Sequence, residues 1–350
     1  MIFDLYWRVL GLPLSRIKGG LTDRVPFSVV ELSLWMGVAA CLVWGLSFAF
    51  PRGWMGRRGV RAAALLLGPV FLVALSLGQG AFPLSIAPTG LREPLPQRLR
   101  TLTGDAPLDS ATFAAWARAR EARLRGYFDT TVTGDQNWKA FEALPETTAL
   151  RVCDASLDSV LAALRLPPGR TVRAFKDMGP WTTAMGMLYG GPAFHDPFFS
   201  EIGIISYRNY PVSHFWRLMA ACHETAHAKG FTREMDAEIL TQLALLRIGR
   251  GTAGKGGDPR FTALADIQFL QKTGTKITWP DSLVAEARRA RAARARVEAA
   301  RPALAWVRSL MRRAGLQNSG GKYGERRAAE PWNPHHPFFA TIHAIAQEQP

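Results

Sequence analysis

Apolar residues are arranged in two ways along this chain, and each arrangement predicts a different kind of element. From Phe27 to Phe50, and again from Val60 to Phe82, they run almost continuously, interrupted mainly by Glu31, Arg61 and small or amide side chains. About twenty apolar residues suffice to cross a bilayer core. The pattern predicts a transmembrane helical hairpin over residues 28–82, with spans at about 27–50 and 60–82. Arg52, Arg57, Arg58 and Arg61, in and beside the connection, put it on the cytoplasmic side and the remaining chain outside. Ahead of the hairpin, residues 1–27 set Tyr6, Trp7, Leu10, Leu12 and Leu14 among Arg8, Arg16, Lys18 and Arg24, a mixture suited to an interfacial segment. They lack the continuous apolar core and cleavage site of a signal peptide.

Pro83, Pro88, Pro94 and Pro96 mark a linker over residues 83–104, after which helical periodicity returns. Ser110 to Asp129 reads as a helix with Phe113, Trp116 and Leu124 inward, and Ser156 to Leu166 as a second, stopped by Pro167, Pro168 and Gly169. Phe215, Leu218, Met219 and Cys222 fall at i, i+3, i+4 and i+7, the buried face of a third. Helix resumes from Ile239 to Ile248 and breaks at Gly249, Gly251, Gly254, Gly256 and Gly257. No preceding strand or closing Gly-Lys-Ser/Thr makes those glycines a phosphate loop. Thr171–Phe175 and Ile202–Tyr207 read as short strands, the second placed beside the third helix where an extended peptide could be added to its edge. Asp281–Arg313 is a basic helical region interrupted at Pro302, and residues 331–350 form a tail. The expected fold is mainly α with a small β-sheet, an α+β catalytic domain over residues 105–330 behind the transmembrane hairpin.

Charge and cysteine content change this picture little. The net charge of +15 would suit nucleic acid, but most of the excess lies in the first sixty residues and after Pro280. Membrane lipid is therefore the expected acidic partner, through basic segments, and nucleic acid is not. Cys41, Cys153 and Cys222 are too few and too scattered for a disulfide framework, and none forms a Cys-x-x-Cys pair.

The candidate chemistry sits in Cys222-His223-Glu224-Thr225-Ala226-His227-Ala228-Lys229-Gly230-Phe231. Side chains four apart share a helix face, so His223 and His227 can turn both imidazoles toward one cation, with Glu224 beside it. Zinc (Zn2+) held by three protein ligands keeps a position for water and lowers its pKa to about 7, and a neighbouring carboxylate can take the proton. Glu234, Asp236 and Glu238, just beyond Gly230, are all available as a third ligand. Helical spacing also allows Glu238 to orient an imidazole without touching the metal.

These residues resemble the HExxH zincin metallopeptidases, gluzincin-like in pattern, and within them a bacterial family of membrane-anchored proteins of unknown function. The likeness rests on Val25-Pro26-Phe27-Ser28, on Pro197-Phe198-Phe199-Ser200-Glu201, on the His223 to Phe231 core with Arg233 to Glu238, and on Gly321-Lys322-Tyr323-Gly324. The resemblance implies a peptidase fold on the bacterial inner membrane. The turn at Gly230 and the run Glu234-Met235-Asp236-Ala237-Glu238 are similar to zincin patterns whose third ligand stands where Glu234 does. Tyr323, in the family-like stretch, is a candidate donor to a developing oxyanion. The expected function is a membrane-anchored zinc peptidase with Glu224 as general base and a peptide or protein substrate. The competing expectations are a membrane protein with a structural or sensory metal, which would have four protein ligands, and a lipid-binding adaptor.

Overall fold

The structure, a computed structural model, describes residues 5–25, 108–129, 133–177, 193–196, 201–204, 213–231, 233–252, 255–273, 278–302 and 337–348, with isolated positions between 28 and 42, at 59, between 95 and 99, and at 306 and 309. A π-helical turn at Trp7–Gly11 leads into α1 (Leu12–Thr22). The main body follows as α2 (Ser110–Phe128), α3 (Thr133–Glu142), α4 (Glu146–Ala163), α5 (His214–Ala228), α6 (Glu234–Arg250), α7 (Pro259–Thr273), α8 (Asp281–Ala299) and α9 (Pro337–Glu348).

Apolar spacing explains how these helices pack. On α4, Ala149, Leu150, Cys153, Leu157, Val160 and Leu161 are buried, and on α5 Phe215, Leu218, Met219, Cys222 and Ala226 are, each set making one face. Those faces meet each other and α6. Ile239 through Leu246 of α6 are all buried, which makes it the central helix, packed against α4, α5 and α7. Phe339 of α9 stacks edge-on against Phe113 of α2 (4.9 Å) and Phe269 of α7 (5.3 Å). The terminal stretch read as a tail thus carries a helix whose Phe338, Phe339 and Ile342 lie in the core.

Three short strands, β1 (Lys176–Asp177), β2 (Ala193–Asp196) and β3 (Glu201–Ile204), form a sheet in the order β1-β3-β2. β3 is parallel to β1 and antiparallel to β2, with Phe194 opposite Gly203. β2 and β3 lie along α5. The glycine-rich break folds as a small hairpin of β4 (Gly251–Thr252) and β5 (Lys255–Gly256).

The expected α+β class with a transmembrane hairpin is corrected. Helix takes 79% of the described residues, and no strand among them exceeds four residues. Thr171–Phe175 is not a strand because carboxylates take its N–H groups: Asp154 accepts from Val172 (3.0 Å) and Asp23 from Arg173 (3.1 Å). Of the strand expected from Ile202 to Tyr207, Ile202–Ile204 belongs to β3, paired on both sides rather than exposed along one edge, and 205–207 lie outside the described residues. No helix among the described residues is long and apolar enough to cross a membrane. α2 and α8, at 19 residues each, are interrupted throughout by arginine and glutamate. Only isolated positions of the first expected span are described, and the second, at 60–82, lies outside the described residues.

Candidate metal centre

The C-terminal turn of α5 brings the candidate residues together. Gly230 sits at φ 101°, where L side chains are strained, and this lets the chain reverse. Its N–H returns to the His227 carbonyl (2.8 Å) and that of Phe231 to the Ala226 carbonyl (3.4 Å), the paired bonds of a Schellman cap. Phe231 and Ala226, the apolar pair such a cap juxtaposes, are both buried. The same reversal carries the Phe231 carbonyl onto the imidazole, where it accepts from His227 Nδ1–H at 2.5 Å. With that proton placed, the neutral ring presents its Nε2 lone pair, the state a metal requires. α6 then starts at Glu234, and its N-terminal dipole favours a carboxylate there.

Three ligand atoms converge as a result. His223 Nε2 lies 3.0 Å from His227 Nε2 and 3.0 Å from Glu234 Oε2, and His227 Nε2 lies 3.5 Å from Glu234 Oε1. Tetrahedral zinc with bonds of about 2.0–2.1 Å spaces its ligands roughly 3.3 Å apart, so this donor set fits the ion. Among the described residues this is the one group of three His, Cys, Asp or Glu side chains so arranged, and no fourth ligand joins it. The imidazoles are only 18% and 11% exposed but Glu234 is 77% exposed, so the cluster opens to solvent on the carboxylate side.

Electrostatics reflect this crowding. Burial alone would depress the His227 imidazolium. The Glu234 hydrogen bond, the charges of Glu224 and Glu234, and the Phe231 carbonyl outweigh it and raise His227 to about 9. Hydrogen bonds from His223 and then His227 hold Glu234 well below the usual carboxylate range. A metal ion would displace the imidazole proton and take over the role of neutralising Glu234.

Of the three acidic candidates, only Glu234 reaches the imidazoles. Asp236 is buried and accepts the Leu95 N–H at 2.9 Å. Glu238 pairs with Lys272 of α7, so the Phe231 carbonyl, and not Glu238, orients His227. Glu224 follows His223 on α5, partly exposed and close enough to act on the charge of His227. Tyr323 lies outside the described residues.

Two supports of the site were not anticipated. Lys229 is 1% exposed, with Nζ 2.8 Å from Asp154 and 2.7 Å from Asp158, and it donates to the Arg170 carbonyl at 3.2 Å. Gly169 passes so close that a Cβ there would lie 2.4 Å from that of Lys229. The acidic pair on α4, four residues apart, was the available signal. The second support corrects the cysteine reading, since Cys153 of α4 and Cys222 of α5, with Cα atoms 5.5 Å apart, form a disulfide. They are 69 residues apart and only the packing of α4 on α5 joins them, although each falls on its helix's apolar face. No family model, curated protein or solved structure matches this chain.

Proposed function

We propose that this chain is a zinc-dependent peptidase, with His223, His227 and Glu234 as metal ligands and Glu224 as general base. The observation that carries the reading is the convergence of two Nε2 atoms and a carboxylate within 3.0–3.5 Å of one another, beside Glu224 on the same helix. Zinc held there supplies a Lewis acid for the scissile carbonyl and lowers the pKa of water to about 7. Glu224 accepts a proton from the attacking water and returns it to the departing amine. The Phe231 carbonyl keeps the His227 ring in place by holding its Nδ1–H. β2 is an edge strand among the described residues and lies along α5, so an extended peptide added to it would be held by backbone bonds that serve many sequences. Tyr323 is the proposed oxyanion donor, and Tyr323→Phe then lowers turnover with zinc retained.

The test is metal analysis of the purified chain together with turnover of a peptide library. His223→Ala loses stoichiometric zinc, whereas Glu224→Gln keeps it and loses at least about 100-fold in turnover. Glu234→Ala weakens zinc binding far more than Glu238→Ala. Full turnover by Glu224→Gln would sink the mechanism, and zinc bound without any peptide cleavage by the wild-type chain would assign a structural or sensory metal instead.

A further inference from the structure

The N-terminal helical segment buries one face against the body of the protein and leaves an apolar face outside. Leu12, Ser15, Gly19 and Thr22 of α1 are buried. Asp23 fixes the segment to the body, its carboxylate accepting from Arg170 (3.2 Å) and from the Arg173 N–H (3.1 Å). Gly19 lies so close to the Arg170 guanidinium that a Cβ there would meet it at 2.5 Å. The segment is therefore held in one rotation about its axis. In that rotation Leu5, Val9, Ile17 and Leu21 are each at least 60% exposed, and Pro13, also exposed, completes a spacing of four from Leu5 to Leu21. Residues three to four apart share a helix face, so these side chains form one stripe. Isolated exposed leucines need no explanation, but an ordered stripe opposite a buried face does.

The charges around the stripe indicate what covers it. Residues 5–22 contain Arg8, Arg16 and Lys18 and no acidic residue, and Arg24 follows; the three arginines are exposed. A second protein surface would need both an apolar patch and a matching set of acids. An anionic bilayer offers both in one layer, with headgroups for the cations and acyl chains for the stripe. We infer that residues 5–24 dock on an anionic phospholipid surface, lying along the bilayer plane with Leu5, Val9, Ile17 and Leu21 inserted and the Arg170 side facing the protein. This contact is independent of the metal centre, and it is parallel to the membrane, not across it.

The experiment uses the full chain with Cys41→Ser and an environment-sensitive fluorophore on Val9→Cys, on Ile17→Cys or, as control, on the exposed Lys139→Cys. Vesicles of phosphatidylglycerol with phosphatidylcholine blue-shift the probes at 9 and 17 and expose them to brominated-lipid quenching, and leave the probe at 139 unchanged. Replacing Arg8, Arg16 and Lys18 by Gln weakens that response on the order of 100-fold in vesicle concentration. No quenching at 9 and 17, or equal quenching by pure phosphatidylcholine, overturns the inference. So does a blue shift that appears without vesicles and grows with protein concentration, which would place a second copy on the stripe.

Discussion

The two ends of α5 are held in contrasting ways. At the C-terminal end, the Schellman bonds, the buried Lys229 network, the Cys153–Cys222 link and the Phe231 carbonyl all act within about two turns of the proposed metal ligands. At the N-terminal end, Ser213 makes no side-chain cap, and the His214 N–H is accepted instead by Glu286 of α8. A pocket of about 260 Å³ opens there among Glu142, His214, Arg217, Glu286 and Arg289. Glu286 Oε2 and His214 Nε2 have no hydrogen-bond partner among the described residues. A metal site works only if its ligands are held to within about half an ångström, so dense fastening at the C-terminal end is what the proposed centre would require.

The sharpest way to break this contrast is to remove Lys229. Lys229→Met leaves Asp154, whose carboxyl burial already pushes up against the pull of Lys229, as an uncompensated charge. Breaking a buried pair in this way costs about 3–5 kcal/mol. Urea denaturation measures it, and a loss comparable to that of an ordinary surface substitution would show that the two ends are equally tolerant. The disulfide comes next. Replacing Cys153 and Cys222 together by Ala releases a loop of 69 residues and lowers stability by about 2–4 kcal/mol. Thiol titration of the unfolded, unreduced wild-type chain finds only Cys41 reactive, and three reactive thiols would remove this link from the comparison.

Much of the C-terminal end was legible in the sequence because its signals are local. His223 and His227 share a face by helical spacing, Gly230 announces the reversal, and Glu234 is the first acid after it. What was not legible depends on contacts between distant segments. Asp236 and Glu238 could be set aside only once Leu95 and Lys272 were seen to engage them, and Cys222 met its partner only through the packing of α4. The strand expected at Thr171–Phe175 failed for the same reason, since Asp23 and Asp154 come from far away in sequence to take its N–H groups. The helical share was underestimated because the pattern over Ser156–Leu166 hid the earlier part of α4, which enters at Pro145 with φ −68°.

Gly230 tests whether the turn itself supports the proposed metal centre. An alanine there must adopt a left-handed conformation at a cost of about 1–2 kcal/mol, or shift the turn and withdraw the Phe231 carbonyl from His227. Loss of such an orienting partner weakens zinc binding about 10 to 100-fold. Zinc titration of Gly230→Ala decides the point, and unchanged affinity would mean that the helix alone aligns the imidazole.

The last effect belongs to the N-terminal end, and it appears as a dependence on pH. Burial pushes the Glu286 carboxyl from an ordinary 4.5 up to about 7, the hydrogen bond from His214 opposing it and the charge of Glu142 adding to it. The folded chain therefore binds this proton more tightly than the unfolded chain does. Between those two values the folded state carries more protons, so stability falls as pH rises; the contribution is full below about 4.5 and gone above about 7. The fall between mildly acidic and mildly alkaline conditions is at most roughly 3 kcal/mol for this group. Glu286→Gln keeps an oxygen for the His214 N–H and removes the charge, so its stability should vary less with pH and exceed that of the wild type in alkali. Parallel pH profiles for the two chains would mean that the pocket already solvates the carboxylate, and the N-terminal end of α5 would then be as well satisfied as the C-terminal end.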